Sequence, residues 1–317
     1  MRPHRSRPAL APSLLVALTL ALAAAASRAH AQEAAEAPAP YPTRCGTTIP
    51  AGETRGYVPL PRGDVFCPLV ADPKGIRSFV SYLRETSEAA ETDVGSVGIG
   101  DSFGLLRWSG PRDGDGLQLS LEGSVFAQFD LGTSSYDLLN ADFLIGLPLT
   151  WRRGGSSARA RVYHQSSHLG DEFLLRGEHP ERENLSFEAV ELILSQDVGV
   201  LRAYAGGEQL VHRSPRDLDA TVAHGGVELR PRATLTFGRL ASARLLAAAD
   251  VKAAREQDWT PAWSVRAGFD FGRPREGLAE GGRWSLLAEY YSGPSPYGQF
   301  YRDDVTLVGV GLHFLTR

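Results

Sequence analysis

The sequence predicts an all-β protein, a transmembrane antiparallel β-barrel of about twelve strands of the kind found in a Gram-negative outer membrane. Three observations predict it: an export signal at the N-terminus, long segments with a two-residue hydrophobic period, and no second apolar run long enough for a spanning helix.

The chain begins with Arg2, Arg5 and Arg7, followed by an apolar run from Leu14 to Ala26 broken only by Thr19, then Ala29-His30-Ala31. A charged head, a short apolar middle and an A-x-A end describe a secretory signal peptide over residues 1–31, with Gln32 as the new N-terminus after cleavage. Beyond it, charged residues interrupt every apolar stretch before the ~18 residues a membrane helix needs, which excludes a helical inner-membrane protein. The net charge of −4 is spread in mixed signs and offers no basic footprint for nucleic acid.

Residues 32–75, rich in Ala, Pro and Gly, keep neither a helical nor a strand period and are expected to form a short periplasmic lead-in. Both cysteines, Cys45 and Cys67, lie there; export to an oxidising compartment suggests a Cys45-Cys67 disulfide. The barrel itself is assigned to residues 76–317. Its clearest strand runs from Leu117 to Leu131, with Leu117, Leu119, Leu121, Val125, Ala127, Phe129 and Leu131 alternating with Gln118, Ser120, Glu122, Ser124, Gln128 and Asp130. Soluble strands commonly run about five or six residues, whereas a tilted membrane strand needs about ten, and this length repeats along the chain.

The next strand, Ala141 to Trp151, sets Phe143, Ile145, Leu147 and Leu149 against Asp142, Gly146 and Thr150. Ten more fit: Arg77 to Arg84, Val94 to Trp108, Ser157 to Ser167, Asn184 to Gln196, Val200 to His212, Thr221 to Arg230, Arg239 to Lys252, Pro261 to Phe271, Arg283 to Ser292 and Val305 to Leu315. Tight turns at Arg153-Gly154-Gly155 and Asp197-Val198-Gly199 fit the periplasmic end. The longer connections, His168 to Glu183 and Gly293 to Asp304, then lie outside, although the connection around Pro274 to Gly281 is not short. The chain is thus placed in the outer membrane, with its lipid and the barrel-assembly machinery as partners.

Several stretches carry a resemblance. GDSFGLLRW (Gly100 to Trp108), AQFDL (Ala127 to Leu131), YHQSSHLGDEFLLR (Tyr163 to Arg176), NLSFEAVEL (Asn184 to Leu192) and SPYGQFY (Ser295 to Tyr301) resemble the bacterial family catalogued as domain of unknown function 1207. The resemblance spans nearly all of the mature chain and implies a barrel with no settled activity.

The facing of the strands singles out one patch. Ala158, Ala160 and Val162 oppose Arg159, Arg161 and Tyr163, so in unbroken register His164 and Ser166 continue the lipid-facing row. Val190, Leu192 and Leu194 oppose Glu191 and Ser195, so Glu188, Ser186 and Asn184 extend the same face of the next strand. A hydroxyl, an imidazole and an orienting group are the parts of a nucleophilic hydrolase. His164-x-Ser166 resembles the His-x-Ser-Asn-Gly motif of the outer-membrane phospholipase A family, in which an asparagine follows on the next strand. Ser167 and His168 stand in place of its Asn-Gly. The match implies Ser166 as nucleophile, His164 as general base and Asn184 as orienting residue. It also implies a membrane lipid as substrate, with Ca²⁺ and a homodimer admissible.

His164 and His168 cannot share an ion, being roughly 13 Å apart along a strand. Asp171 and Glu172 are the candidates for Ca²⁺, although two acids in a loop are ordinarily just solvated. Arg159 and Arg161, facing Glu122 and Gln128, could line a pore or form an internal ion-pair network. Three functions follow: a barrel of unassigned structural or envelope-interacting role requiring no cofactor, a lipid esterase, and a narrow pore.

Overall fold

A computed structural model describes residues 56–315, apart from 89–90, 111–113, 176–183, 232, 238–240 and 273–282. The predicted signal peptide (1–31), Cys45 and the connection from Pro274 to Gly281 therefore lie outside the described residues.

The strands are β1 (Gly56–Pro59), β2 (Ser78–Ser87), β3 (Glu91–Ser109), β4 (Gly116–Asp130), β5 (Leu138–Arg153), β6 (Ser156–Leu169), β7 (Ser186–Val198), β8 (Leu201–Ser214), β9 (Thr221–Leu229), β10 (Thr234–Phe237), β11 (Ala241–Ala254), β12 (Pro261–Gly272), β13 (Arg283–Pro294) and β14 (Asp304–Leu315). A short helix α1 (Asp171–Leu175) lies between β6 and β7. Twelve of these strands, β2–β9 and β11–β14, pair antiparallel with their neighbours. β14 pairs back onto β2 and β4 onto β3, so the sheet closes. Closure leaves no long unpaired edge to face lipid.

All twelve strands predicted from the sequence are present. β1 and β10 are additional: β10 continues the wall beyond β9 after the break at Arg230-Pro231, and β1 continues it below the start of β2, on β3. Four residues are too few to display a period, and Pro231 removes a ladder donor where β9 breaks off. The turns Gly154-Gly155 and Gly199-Val200 are two residues long, and Gly154 and Gly199 adopt φ of 59° and 60°, a conformation glycine takes without cost.

The two-residue period sorts the side chains as the wall requires. Ile145 and Leu194 are 56% and 58% exposed on the outer face, while Gln118 and Glu191 on the inner face are 0% exposed. Inside, Arg159 Nε donates to Glu191 Oε1 at 2.7 Å, and Arg161 bridges Glu191 Oε2 at 2.6 Å and Glu122 Oε1 at 2.9 Å. The expected internal network therefore exists with Glu191 at its centre; Gln128 is not part of it and bonds Glu85 instead.

The described part of the segment expected as a lead-in does more than lead in. From Val65 to Asp72 it lies inside the barrel, with Phe66 and Cys67 each 3% exposed. A buried irregular segment has no ladder for its carbonyls, and each must find a donor. Arginines on three separate strands supply them, and an arginine on a fourth holds the two carbonyls just ahead of the segment. Arg107 donates to the Arg62 and Gly63 carbonyls at 2.8 Å, and Arg152 to Val65 at 2.5 Å. Arg202 donates to Cys67 at 3.0 Å and Arg266 to Val70 at 2.8 Å. In return, Glu228 Oε1 accepts the Val70 N–H at 2.9 Å.

At the other end, Lys74 reaches an ion pair with Asp142. There the turn before β14 folds over the mouth, Gly298 N donating to Asp142 Oδ2 at 3.1 Å and Gln299 Nε2 to the Ser167 carbonyl at 2.8 Å. The approach is close enough that a Cβ on Gly298 would sit 2.6 Å from Ser167 Oγ.

Candidate functional site

The lipid-facing patch assembles on three adjacent strands. Strand β6 alternates strictly, burying Arg161, Tyr163, Gln165 and Ser167 and turning Val162, His164, Ser166 and His168 outward. Register pairs His164 with Ile145 on one side and Glu188 on the other; Ser166 lies likewise between Phe143 and Ser186. The patch thus has an apolar flank on β5, where Ile145 and Phe143 stay exposed, and a polar flank on β7.

The decisive contact is on the polar flank. His164 Nδ1 lies 2.9 Å from Glu188 Oε1, and Glu188 Oε2 lies 3.2 Å from His212 Nδ1. His212 reaches this face because β8 carries a bulge. Ala189 pairs with Leu210 and Glu188 with His212, so Val211 is the extra residue and both Val211 and His212 point outward. The side chains of His164 and Glu188 are 42% and 41% exposed. In the neutral ring the contact on Nδ1 favours the tautomer with Nδ1–H toward the carboxylate, which leaves the lone pair on Nε2.

His164 and Ser166 share the outer face as predicted. Residues two apart on a strand are roughly 7 Å apart, so the hydroxyl and imidazole must lean together to exchange a proton. Asn184 is exposed and lies beyond Ser186 and Leu185, before β7 begins; the structure does not bring it to His164, whose partner is Glu188. Sequence reasoning placed Glu188 on this face but gave the orienting role to Asn184. His212 was missed, for want of any signal of the bulge. His168 packs edge-on against Phe143 at 5.8 Å.

Asp171 and Glu172 open α1, both exposed, and belong to no converging group of three ligand residues among those described. The adjacent Phe173 packs edge-on against Phe300 at 5.7 Å, tying the connection after β6 to the turn before β14.

Residues 14–315 match the family described as Protein of unknown function (DUF1207). The chain belongs to this family. No curated protein matches it. Among solved structures, it resembles the outer membrane phospholipase A from Escherichia coli, with 14% identity over 77% of this chain and 93% of that one and a TM-score of 0.52. It also resembles the Salmonella typhi outer membrane phospholipase, solved as a dimer with bound calcium, with 13% identity over 77% and 94% of the two chains and a TM-score of 0.52. At such identity the likeness is one of fold: this family member has the fold of outer-membrane barrel proteins, with a role that the fold leaves unassigned.

Proposed function

We propose that this barrel hydrolyses acyl esters of membrane lipid at its lipid-facing surface, with Ser166 as nucleophile, His164 as general base and Glu188 as the residue that orients the imidazole. The observation that carries the proposal is the 2.9 Å contact between Glu188 Oε1 and His164 Nδ1, two residues from Ser166 on the same outward face. In this arrangement His164 Nε2 takes the Ser166 proton as the oxygen attacks the ester carbonyl, then returns it to the leaving alcohol; a water deprotonated by the same Nε2 then attacks the acyl-Ser166 ester, freeing the fatty acid as the proton returns to Ser166. Glu188 stabilises the imidazolium formed in between.

The surroundings suit an amphiphile. Ile145 and Phe143 offer acyl chains an apolar flank, while Glu188 and His212 keep the ester end polar. With the two-residue turns placed in the periplasm, the site falls in the outer leaflet near the external rim, where polar groups on the lipid face cost little. The same reading has residues 1–31 removed on export and Cys45 bonded to Cys67. It admits Ca²⁺ or a homodimer as means of completing the site. A pore is disfavoured by the segment inside the lumen and by the turn over its mouth.

The test is release of fatty acid from phospholipid–detergent micelles, with and without Ca²⁺, by refolded wild type and by Ser166→Ala. Activity present in wild type and lost in the variant supports the assignment. A folded wild type that releases nothing under either condition rejects it and leaves a closed barrel of structural or envelope-interacting role.

A further inference from the structure

A separate cluster of ligand-type side chains lies inside the lumen, where the inner segment meets the wall. Asp72 of that segment, His224 of β9 and Asp250 of β11 each present one ligand atom, all three residues are buried, and these atoms lie within 4.8 Å of one another. They arrive from three separate stretches of chain. His224 Nε2 is 2.8 Å from Asp250 Oδ2, and the Tyr204 hydroxyl donates to the same oxygen. His224 Nδ1 is buried with no hydrogen-bond partner.

No protonation state satisfies this ring as it stands. With its proton on Nε2, the Nδ1 lone pair lacks a donor. With the proton on Nδ1, that N–H lacks an acceptor while a nitrogen lone pair faces a carboxylate oxygen across 2.8 Å. With both protons, Nδ1–H is still unpaired. Buried polar atoms are nearly always satisfied, so a ring that no arrangement of protons satisfies, standing with one nitrogen on a carboxylate and a second carboxylate beside it, points to a partner the side chains themselves do not supply.

We propose that Asp72, His224 and Asp250 bind a divalent cation of the Zn²⁺ type, which fastens the inner segment to two strands of the wall. One imidazole and two carboxylates are ligands such an ion accepts, with water in the remaining position. A cavity of about 150 Å³ lined by Asp72, Lys252 and Asp250 has room for that water. An ion on Nε2 forces the proton onto Nδ1. Glu191 and Glu208 form a second group with His224 inside the same 4.8 Å limit; neither bonds Nδ1 as the ring stands, and a small turn of the ring on the ion would bring that proton to one of them, the usual arrangement around a metal-bound imidazole.

Lys252 Nζ lies 3.3 Å from both Asp72 Oδ1 and Glu208 Oε1. The ion takes over Asp72 and leaves Lys252 on Glu208, so no carboxylate loses its partner.

The experiment uses untagged full-length protein, refolded in detergent, exposed to Zn²⁺ or Co²⁺ and desalted. Folding is verified by heat-modifiable electrophoretic migration. Expected are stoichiometric retained Zn²⁺, visible Co²⁺ absorption of low-symmetry nitrogen and oxygen coordination, and a thermal midpoint raised by Zn²⁺. His224→Gln and Asp72→Asn should each weaken binding at least about tenfold, the loss typical of disturbing a metal's immediate environment. The double variant His164→Ala/His212→Ala, which removes the histidines of the outer patch, should bind as wild type does. Folded wild type that retains no metal overturns the proposal, as does undiminished binding by both lumen variants, or binding lost only in the outer double variant.

Discussion

Two residue types, glutamate and serine, occur on both faces of β6 and β7 and do opposite things there. On the inner face, Glu191 is fully buried and accepts from both Arg159 and Arg161, while Ser167 bonds Asn140 and Asp142; the groups hold one another in place. One residue further along, on the outer face, Glu188 and His164 form a half-exposed pair and the Ser166 hydroxyl bonds to none of the described residues. Buried charge must be paired to be tolerated at all, so the lumen spends its carboxylates on structure. A polar group at the lipid-facing rim is under no such constraint, and there a histidine, a carboxylate and a hydroxyl remain available for chemistry.

That contrast can be broken in order of effect. Ser166→Ala should lower fatty-acid release by about a thousandfold or more, as loss of a nucleophile does, while the denaturant midpoint stays at the wild-type value. Loss of stability along with activity would mean the hydroxyl is structural after all. Glu191→Ala should do the reverse. Leaving Arg159 and Arg161 buried and unpaired costs about 3–5 kcal/mol in urea titrations of the refolded barrel, with activity per folded molecule retained. Leu192→Arg, on the outer face at the middle of β7, should cost about 2–4 kcal/mol, since a cation there must enter hydrocarbon. A negligible cost would show that this strand does not face lipid.

The smaller effects sharpen the assignment within the patch. Glu188→Gln should reduce hydrolysis by about tenfold to a hundredfold, whereas Asn184→Ala should leave it within about twofold, both read as kcat/KM on the same micelles. The opposite ranking would restore Asn184 as the orienting residue. His212→Ala, at a side chain 88% exposed, should change stability by less than about 0.5 kcal/mol. A larger loss there would mean that the bulge at Val211 depends on the His212–Glu188 contact.

The barrel was legible in the sequence because a strand with lipid on one side and a polar interior on the other must alternate, and alternation survives without any knowledge of neighbours. Leu117 to Leu131 and Ala141 to Trp151 announce themselves this way, and the same parity correctly turned His164 and Ser166 outward and Arg159 and Arg161 inward. Facing is a property of one strand. Partnership is a property of two, and here sequence stopped short. Glu188 and Asn184 share a parity, so only the register between β6 and β7 could decide which of them meets His164. A single extra residue, Val211, brought His212 to the same carboxylate.

The inner segment from Val65 to Asp72 marks the same boundary more sharply. Its composition said only that it would form neither helix nor strand. Its place inside the barrel rests on Arg152, Arg202 and Arg266, which stand far apart along the chain and bind backbone carbonyls, atoms that every residue carries and no sequence distinguishes. The fold class, the strands and their two faces were therefore determined by the sequence, through the local period that a membrane wall imposes. The contents of the lumen and the partner of His164 were decided only when distant strands closed into a ring, because hydrogen bonds between them depend on register and on which carbonyls closure leaves without a ladder.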